Sequence, residues 1–334
     1  MIQREQDPML SIVVYTYNHK KYIDTCLESI FGQQTEFSYE VLLADDASTD
    51  GTVQIVRKKY GDRVRVLERS ENLGLCRNMY DAFMQARGKY IYDCAGDDYL
   101  STEHVFQKLT GYLEEHEDIF SVTGWNEDYN VEKGTKSVGE VPYTEYTMLD
   151  FLRGVRVRFF SGMIRNTFRE DKPEYICKAS RNNEEVQIWY YALTKSKKVI
   201  LPECVYTYCF RNEGGSESYN ATRDFLQMLG DYAKGFHAVE KAAGGKYNFK
   251  LAKVTYYSGC IDYYIQSNGW KSVLNLLRVL RPGELFSFAW IKFLMKLNHR
   301  KMPAFLMRED RLIRKRRLID AEKRHTVTKR KLVQ

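Results

Sequence analysis

The first 125 residues predict an α/β fold in which a mostly parallel sheet is flanked by helices. Runs rich in apolar and β-branched residues alternate there with stretches whose apolar residues recur at helical spacing. Strands that alternate with helices form parallel sheets with right-handed crossovers. We therefore expect the ligand site to lie outside the carboxyl ends of the strands.

Each element follows from a local pattern. Leu10–Thr16 is mostly apolar and β-branched, which is typical of a buried strand. Residues 20–32 have apolar side chains at helical spacing, and Asp50 and Gly61 are suitable residues to begin and end a second helix. The remaining elements up to His116 are strands over 39–44, 63–68 and 89–94 and helices over 74–86 and 101–116.

The pattern weakens after residue 125. We predict a loop over 125–146, strands over 159–164 and 199–210, and a helix over 183–194. Everything beyond Ala221 has helical character. We therefore expect an α/β domain over residues 1–219 and a helical, basic C-terminal extension over residues 220–334.

The positive charge is concentrated at the end of the chain. The net charge is +7, and residues 300–334 hold 13 Lys or Arg against 4 Asp or Glu. The nearly neutral body therefore offers no broad surface for nucleic acid. Seven scattered cysteines without a Cys-x-x-Cys pair indicate reduced thiols, as in cytoplasmic proteins. No signal peptide and no apolar run of ~20 residues is visible, so we expect neither secretion nor a membrane span.

Two acidic pairs follow predicted strands. Asp45–Asp46 comes at the end of the second strand, and Asp97–Asp98 comes after the fourth. Burial of adjacent carboxylates without partners is costly, whereas a cation that holds a diphosphate needs one or two carboxylate oxygens. A helix cap or a turn could explain either pair alone. Two pairs at neighbouring strand ends favour a nucleotide-diphosphate site.

A third acidic pair, Glu184–Glu185, opens the predicted helix over 183–194. Acidic residues stabilise helix N-termini by ~0.3–1 kcal/mol, which would explain the pair without any chemistry. A carboxylate at this point could instead remove the proton of an acceptor hydroxyl.

Four segments resemble, in order and spacing, the successive motifs of family-two glycosyltransferases with the GT-A fold. They are Ser11–Asn18, Asp45–Gly51, Glu71–Asn78 and Ala95–Leu100, and weaker similarity continues to about Ser218. The resemblance implies a Rossmann-like GT-A domain that performs inverting transfer of a single sugar. The implied donor is a nucleotide sugar, expected to be a UDP-sugar. The implied acceptor is a hydroxyl of a saccharide or lipid-linked molecule in bacterial cell-surface polysaccharide assembly.

The resemblance also assigns nucleotide-binding residues. Tyr15, Tyr17 and Asn18 match the loop that lines the uracil and ribose pocket, although the family usually has Pro at the position of Tyr15. Asp46 matches the aspartate that contacts uracil, and Asp45 is its neighbour. Arg77 matches a basic residue that faces the nucleotide, and Asp97 matches a residue close to the ribose.

The resemblance also assigns a metal-binding residue and a general base. Asp98 matches the aspartate that binds Mn²⁺ or Mg²⁺, although a strict Asp-x-Asp motif would need Asp at the position of Gly96. Glu185 matches the general base, which is Asp in the family, and Glu184 is the alternative.

A glycine-rich loop and the C-terminal region imply further contacts. The loop residues Arg211, Asn212, Gly214 and Gly215 form either a lid over the diphosphate or an ordinary surface loop. Apolar stretches over 270–280 and 285–297 and the basic run over 311–317 fit an anionic membrane surface. Packing on the catalytic domain, or on a second copy in a homodimer, is the alternative. We expect a peripheral protein on the inner face of the cell membrane.

Two other functions remain as alternatives. A sugar nucleotidyltransferase would favour a glycine-rich phosphate loop after the first strand, but residues 16–20 contain no glycine. A nucleic-acid-binding protein could use the basic tail, but the body has no matching motif.

Overall fold

The strands form one mixed sheet. The computed structural model describes residues 7–138, 142–155, 162–178, 180–181, 184–210, 225–253 and 255–257. The strands in these ranges are β1 (Leu10–Thr16), β2 (Tyr39–Asp45), β3 (Arg65–Glu68), β4 (Tyr90–Ala95), β5 (Ser121–Asn130), β6 (Thr135–Val138), β7 (Thr144–Tyr146), β8 (Met163–Arg165) and β9 (Lys198–Phe210).

The helices lie mainly between the strands. The helices with bounds in the described ranges are α1 (Ile23–Phe31), α2 (Thr52–Tyr60), α3 (Leu75–Phe83), α4 (Val105–Glu115), α5 (Met148–Leu152), α6 (Phe168–Asp171), α7 (Tyr175–Lys178), α8 (Glu185–Lys195) and α9 (Phe225–Ala243).

The order of strands puts three carboxyl ends side by side. Across the sheet the order is β3-β2-β1-β4-β8-β5-β9-β7, and β6 pairs with β5. β1 is parallel to both β2 and β4, with Thr16 opposite Asp45 and Tyr15 opposite Ala95. Only β8 interrupts the described sheet between β4 and β5, as it is antiparallel to both. The predicted α/β fold with a sheet flanked by helices is confirmed.

Both faces of the sheet are covered because the central strands are apolar on both sides. On one face, Ile12 and Leu43 pack with α1 and α4 in a buried cluster. On the other face, Val13 and Leu42 pack with α3 and with Tyr191 of α8. Alternate residues of a strand point to opposite faces, so an apolar run of this kind fits only between two layers of helices.

The chain beyond the α/β region shares a core with α8. Phe236 and Val239 of α9 are fully buried in a cluster that also contains Val186 and Trp189 of α8. The predicted domain boundary near Tyr219 falls outside the described residues and stays a prediction. The packing shows that at least the first helix after that point is joined to the sheet domain through a common apolar core.

One part of the predicted secondary structure is wrong. The expected loop over 125–146 contains the second half of β5 and strands β6 and β7. β5 and β6 form a hairpin in which Asn130 pairs with Thr135. All four residues of β6 are exposed, so this strand lacks the apolar alternation that reveals half-buried strands.

The predicted membrane-contacting segments, 270–280, 285–297 and 311–317, lie outside the described residues. Among the helices that the structure does describe, none combines the length and the apolar character needed to span a bilayer.

Candidate active site

The loops after β1 and β2 are joined by hydrogen bonds. The Asp46 amide donates to the Thr16 carbonyl at 2.9 Å, and the Asn18 amide donates to Ser48 Oγ at 2.8 Å. Asn18 Oδ1 in turn accepts from the Thr49 amide at 2.9 Å. Asn18 has φ 57°, a left-handed conformation that asparagine tolerates better than most residues. Of the predicted nucleotide residues, Asn18, Asp45 and Asp46 are thus brought together at one edge of the sheet.

The loop after β4 lies against the same edge. The Gly96 amide donates to the Tyr15 carbonyl at 2.9 Å. A Cβ atom at position 96 would lie only 3.1 Å from both His19 Nδ1 and Ile23 Cδ1. The close approach of the β4 loop to the β1 loop therefore accounts for glycine at the place where a strict Asp-x-Asp motif would have Asp.

The carboxylates of Asp45 and Asp46 hold the loop after β2 and the loop between β3 and α3. Asp45 is fully buried and accepts hydrogen bonds from the amide and the hydroxyl of Ser48 at 2.9 and 2.5 Å. Burial raises the pKa of Asp45. The two oxygens of Asp46 accept from the amides of Leu73 and Gly74 at 2.7 and 2.9 Å. The structure thus gives both residues an organising role, and the predicted contact of Asp46 with uracil stays a prediction.

Asp98 is held by strand β9. Its side chain is buried, one carboxylate oxygen accepts from the Cys209 amide at 2.7 Å, and the other accepts from the Tyr206 hydroxyl. Asp97 Oδ1 lies 3.9 Å from His19 Nδ1. A carboxylate oxygen has two lone pairs, so Asp98 retains acceptor capacity for a cation after these contacts.

The donor set fits a cation that brings some of its own ligands. No cluster of three or more His, Cys, Asp or Glu side chains suited to a metal is found within the described part of the chain. Mg²⁺ is commonly held by one or two carboxylates together with substrate phosphates and water. Adjacent Asp97 and Asp98 satisfy that smaller requirement.

Arg77 forms an ion pair within its own helix. Its guanidinium is half-exposed and pairs with Asp81 on the same helix at 2.9 Å. Asp81 also raises the pKa of Arg77. The predicted contact of Arg77 with nucleotide stays a prediction. Tyr17 is placed in the turn just after β1, as expected from the sequence.

Arg181 is a basic residue that the sequence analysis missed. Its guanidinium donates to the Asn72 carbonyl at 2.7 Å and to Asn72 Oδ1 at 2.5 Å. It lies beside Gly74, whose amide is bound by Asp46. No local motif marks Arg181, because the loop that it contacts lies more than one hundred positions earlier in the sequence.

Glu184 and Glu185 stand at the N-terminal end of α8. Burial, followed by the negative charges of Glu185 and Asp93, raises the pKa of Glu184 to about 8. Glu184 is therefore mostly protonated near neutral pH and cannot accept a proton there. Glu185 accepts a hydrogen bond from the Tyr232 hydroxyl at 3.1 Å. These contacts favour Glu185 over Glu184 as the base.

Tyr208 of β9 connects the second acidic pair with the third. Burial, followed by the negative charges of Asp98, Asp97, Asp128 and Glu185, raises the pKa of Tyr208 to about 12. One hydroxyl therefore experiences the charge of both Asp98 and Glu185. The predicted metal ligand Asp98 and the predicted base Glu185 thus belong to one neighbourhood.

Glu184 and Glu185 line a cavity of about 50 Å³. Its polar lining includes Asp93, Ser121, Glu184, Glu185 and Lys198. Burial raises the pKa of Asp93 to about 6 and lowers that of Lys198 to about 8. The volume is enough for a few water molecules.

The position of Tyr15 relates to this cavity. Burial together with the charges of Asp93 and Glu184 raises the pKa of Tyr15. Tyr15 thus lies near the third acidic pair, and its predicted place in the wall of the uracil pocket stays a prediction. Sequence reasoning also missed Asp93, although a charged residue within the apolar run of β4 was a usable signal.

Stability should depend on pH through Glu184. The folded state raises its pKa from 4.5 to about 8, so this contribution to stability is full below about pH 4.5 and is lost as pH rises through 8. We expect the free energy of unfolding of the wild type to fall by about 2 kcal/mol more between pH 5.5 and 7.5 than that of Glu184→Gln. Urea unfolding at the two pH values measures this, and equal pH dependence in both proteins would contradict it.

The predicted lid residues, Arg211, Asn212, Gly214 and Gly215, lie outside the described residues. The lid and the ordinary loop therefore both stay open as explanations of that segment.

Comparison with known proteins identifies the domain that carries the first two acidic pairs of this site. Residues 11–171 match the family model "Glycosyl transferase family 2". The chain is 39% identical over 110 residues to an uncharacterised protein of Mycobacterium tuberculosis, covering 32% of each chain. It is 29% identical over 229 residues to the poly(ribitol-phosphate) beta-N-acetylglucosaminyltransferase TarS of Staphylococcus aureus, covering 66% of this chain and 39% of TarS. The chain thus spans only about a third of the length of these relatives.

Solved structures show the same fold. A crystal structure of residues 1–349 of S. aureus TarS in complex with UDP-GlcNAc aligns with a TM-score of 0.58 at 19% identity, over 86% of this chain and 80% of that one. A mannosyltransferase from Pyrobaculum calidifontis in complex with GDP-Man and Mn²⁺ aligns with a TM-score of 0.51 at 15% identity, over 88% of each chain. The chain therefore contains a glycosyl transferase family 2 domain, which spans residues 11–171 and has the GT-A fold.

Proposed function

We propose that the protein transfers a single sugar, with inversion, from a nucleotide sugar to the hydroxyl of an acceptor. The observation that carries the proposal is that β4 joins the second acidic pair to the third. Asp93 of β4 lines one cavity with Glu184 and Glu185, and the strand ends just before Asp97 and Asp98. Sugar transfer needs a place for the leaving diphosphate next to a proton acceptor.

Each side chain has a separate task in this mechanism. Glu185 accepts the proton of the acceptor hydroxyl while the acceptor oxygen bonds to the anomeric carbon and the nucleoside diphosphate departs. Glu184 is mostly protonated near pH 7, so Glu185 takes the proton. Asp98, oriented by Tyr206 and the Cys209 amide, would hold Mn²⁺ or Mg²⁺. Such a cation supplies Lewis-acid neutralisation of the charge on the leaving group.

The proposed donor is a UDP-sugar, and the proposed setting is bacterial cell-surface polysaccharide assembly. Support for the donor comes from TarS, whose structure is of a complex with UDP-GlcNAc. The proposed acceptor is a saccharide or lipid-linked hydroxyl. The sugar itself is to be found by a thermal-shift screen of nucleotide sugars with and without Mn²⁺.

Product analysis tests the reaction class. We expect incubation with the donor found by the screen, Mn²⁺ and a saccharide acceptor to release the nucleoside diphosphate together with a glycosylated product. A parallel incubation with a nucleoside triphosphate and a sugar 1-phosphate tests the alternative, because release of pyrophosphate from that pair would identify a sugar nucleotidyltransferase. The absence of any nucleoside-diphosphate binding by calorimetry, with Mn²⁺ or Mg²⁺ present, would reject the glycosyltransferase reaction.

We also propose that the protein acts at the inner face of the cell membrane. The support is the excess of 13 basic over 4 acidic residues in 300–334, since anionic lipids attract each nearby basic residue by ~1 kcal/mol. Sedimentation with anionic liposomes should be lost when residues 300–334 are deleted. Equal sedimentation of the truncated protein would show that the tail does not bind the membrane. The mass of the full chain in solution tests the alternative, a homodimer formed through the C-terminal helices.

A further inference from the structure

We propose that Tyr232 of α9 is a positioning residue for the general base, an inference that rests on the proposed function. The Tyr232 hydroxyl donates a hydrogen bond to Glu185 Oε2 at 3.1 Å. Only 8% of Tyr232 is exposed. The residue lies well beyond residues 11–171, which match the family model. Glu185 also lies beyond residue 171, so the base and its hydrogen-bond donor both belong to the part of the chain that the family model does not match.

An aromatic cluster fixes the Tyr232 hydroxyl relative to α8. The Tyr232 ring lies 5.6 Å from that of Tyr256, measured between centroids, and Tyr256 lies 6.2 Å from Trp189 and 5.4 Å from Phe236. Trp189 is four residues after Glu185 and so lies on the same side of α8. The cluster that anchors Tyr232 thus also anchors the helix face from which Glu185 projects.

A neutral donor suits the charges around Glu185. Glu184 precedes it on the chain, Tyr208 approaches it from β9, and Tyr232 approaches it from α9. Asp93 of β4 and Lys198 of β9 line the same cavity. Glu185 must remain ionised although Asp97 and Asp98 lie nearby, and a hydrogen bond to a carboxylate stabilises its charged form. Tyr232 therefore orients the base without neutralising it.

The test compares Tyr232→Phe with Tyr190→Phe in the full chain. Tyr190 is a buried residue of the same aromatic cluster, and no contact of its hydroxyl with Glu185 occurs among the described residues. We expect Tyr232→Phe to lower kcat about tenfold, because hydrogen bonds to charged groups contribute ~1.5–3 kcal/mol. The KM for donor and the Kd for UDP should stay within about twofold of wild type.

The pH profile separates positioning from a general loss of structure. A carboxylate without its donor holds its proton more tightly, so the acidic limb of kcat should move to higher pH in Tyr232→Phe and stay in place in Tyr190→Phe. In the Glu185→Gln background, Tyr232→Phe should cause no further loss. Equal kcat in the two phenylalanine variants, an unmoved acidic limb, or an equal loss in the Glu185→Gln background would each overturn the proposal.

The proposed function can fail separately from this inference. If wild-type protein with Mn²⁺ transfers no sugar from any bound nucleotide sugar, the glycosyltransferase assignment fails. If the wild type is active and Tyr232→Phe behaves like Tyr190→Phe, the glycosyltransferase assignment stands and the role of Tyr232 is rejected.

Discussion

Glu185→Gln should lower the rate of sugar transfer by about 10³-fold while the protein stays folded and still binds UDP. General-base catalysis contributes typically ~10²–10⁴-fold, and glutamine has the same shape but cannot take up the proton. The Tyr232 hydroxyl can still donate to the amide oxygen of glutamine, so the local packing should survive. Product formation, measured together with calorimetry of UDP binding, gives both quantities.

Glu184→Gln is the matched control for this prediction. Its carboxyl has a pKa of about 8, so the neutral amide resembles the form that prevails at pH 7. We expect Glu184→Gln to keep at least about a tenth of the wild-type rate, since no step of general-base catalysis would be lost. If Glu184→Gln were inactive and Glu185→Gln active, the roles of the two residues would have to be exchanged.

Asp98→Asn should remove metal-dependent turnover, with a loss of about 10²–10³-fold at a saturating donor concentration. The amide oxygen can still accept from the Cys209 amide, and the Tyr206 hydroxyl can accept from the new NH₂ group. The fold should therefore survive while the negative charge that holds a cation is lost. The measurement is a titration of turnover with Mn²⁺, accompanied by calorimetry of Mn²⁺ binding in the presence of UDP.

Asp62→Asn provides the control for the change of charge. Asp62 is exposed in the turn after α2, and the same loss of one negative charge there should leave the Mn²⁺ titration unchanged. A wild-type titration curve for Asp98→Asn would exclude Asp98 as a metal ligand, whatever the behaviour of the control.

The central strands could be predicted because their sequences obey a local rule. β1, β2 and β4 are buried on both faces, so their apolar runs stand out from the flanking polar loops. β6 is exposed throughout and has no such signature. The antiparallel insertion of β8 between β4 and β5 depends on contacts between distant segments, which no short pattern encodes.

The site could be predicted only to the level of residue types. The acidic pairs at strand ends were visible, and parallel topology alone brings Asp46 and Asp98 to one edge. The partners of these residues were not visible, because Asp46 binds backbone amides and Asp98 binds Tyr206 from a strand more than one hundred residues later. The hydrogen bond between Tyr232 and Glu185 spans 47 positions and follows from tertiary packing alone.

The junction between Gly74 and Arg181 has a consequence for chimeras of related enzymes. Gly74 has φ 87°, and a Cβ atom there would lie 2.7 Å from the Arg181 carbonyl oxygen as well as against its side chain. The Cys76 amide donates to that same carbonyl at 3.1 Å. Arg181, which precedes Glu184 and Glu185 in the sequence, is thereby tied to the loop held by Asp46. A chimera of two related enzymes should therefore take both ends of this tie from the same parent, because a side chain larger than glycine at position 74 would clash with the Arg181 carbonyl.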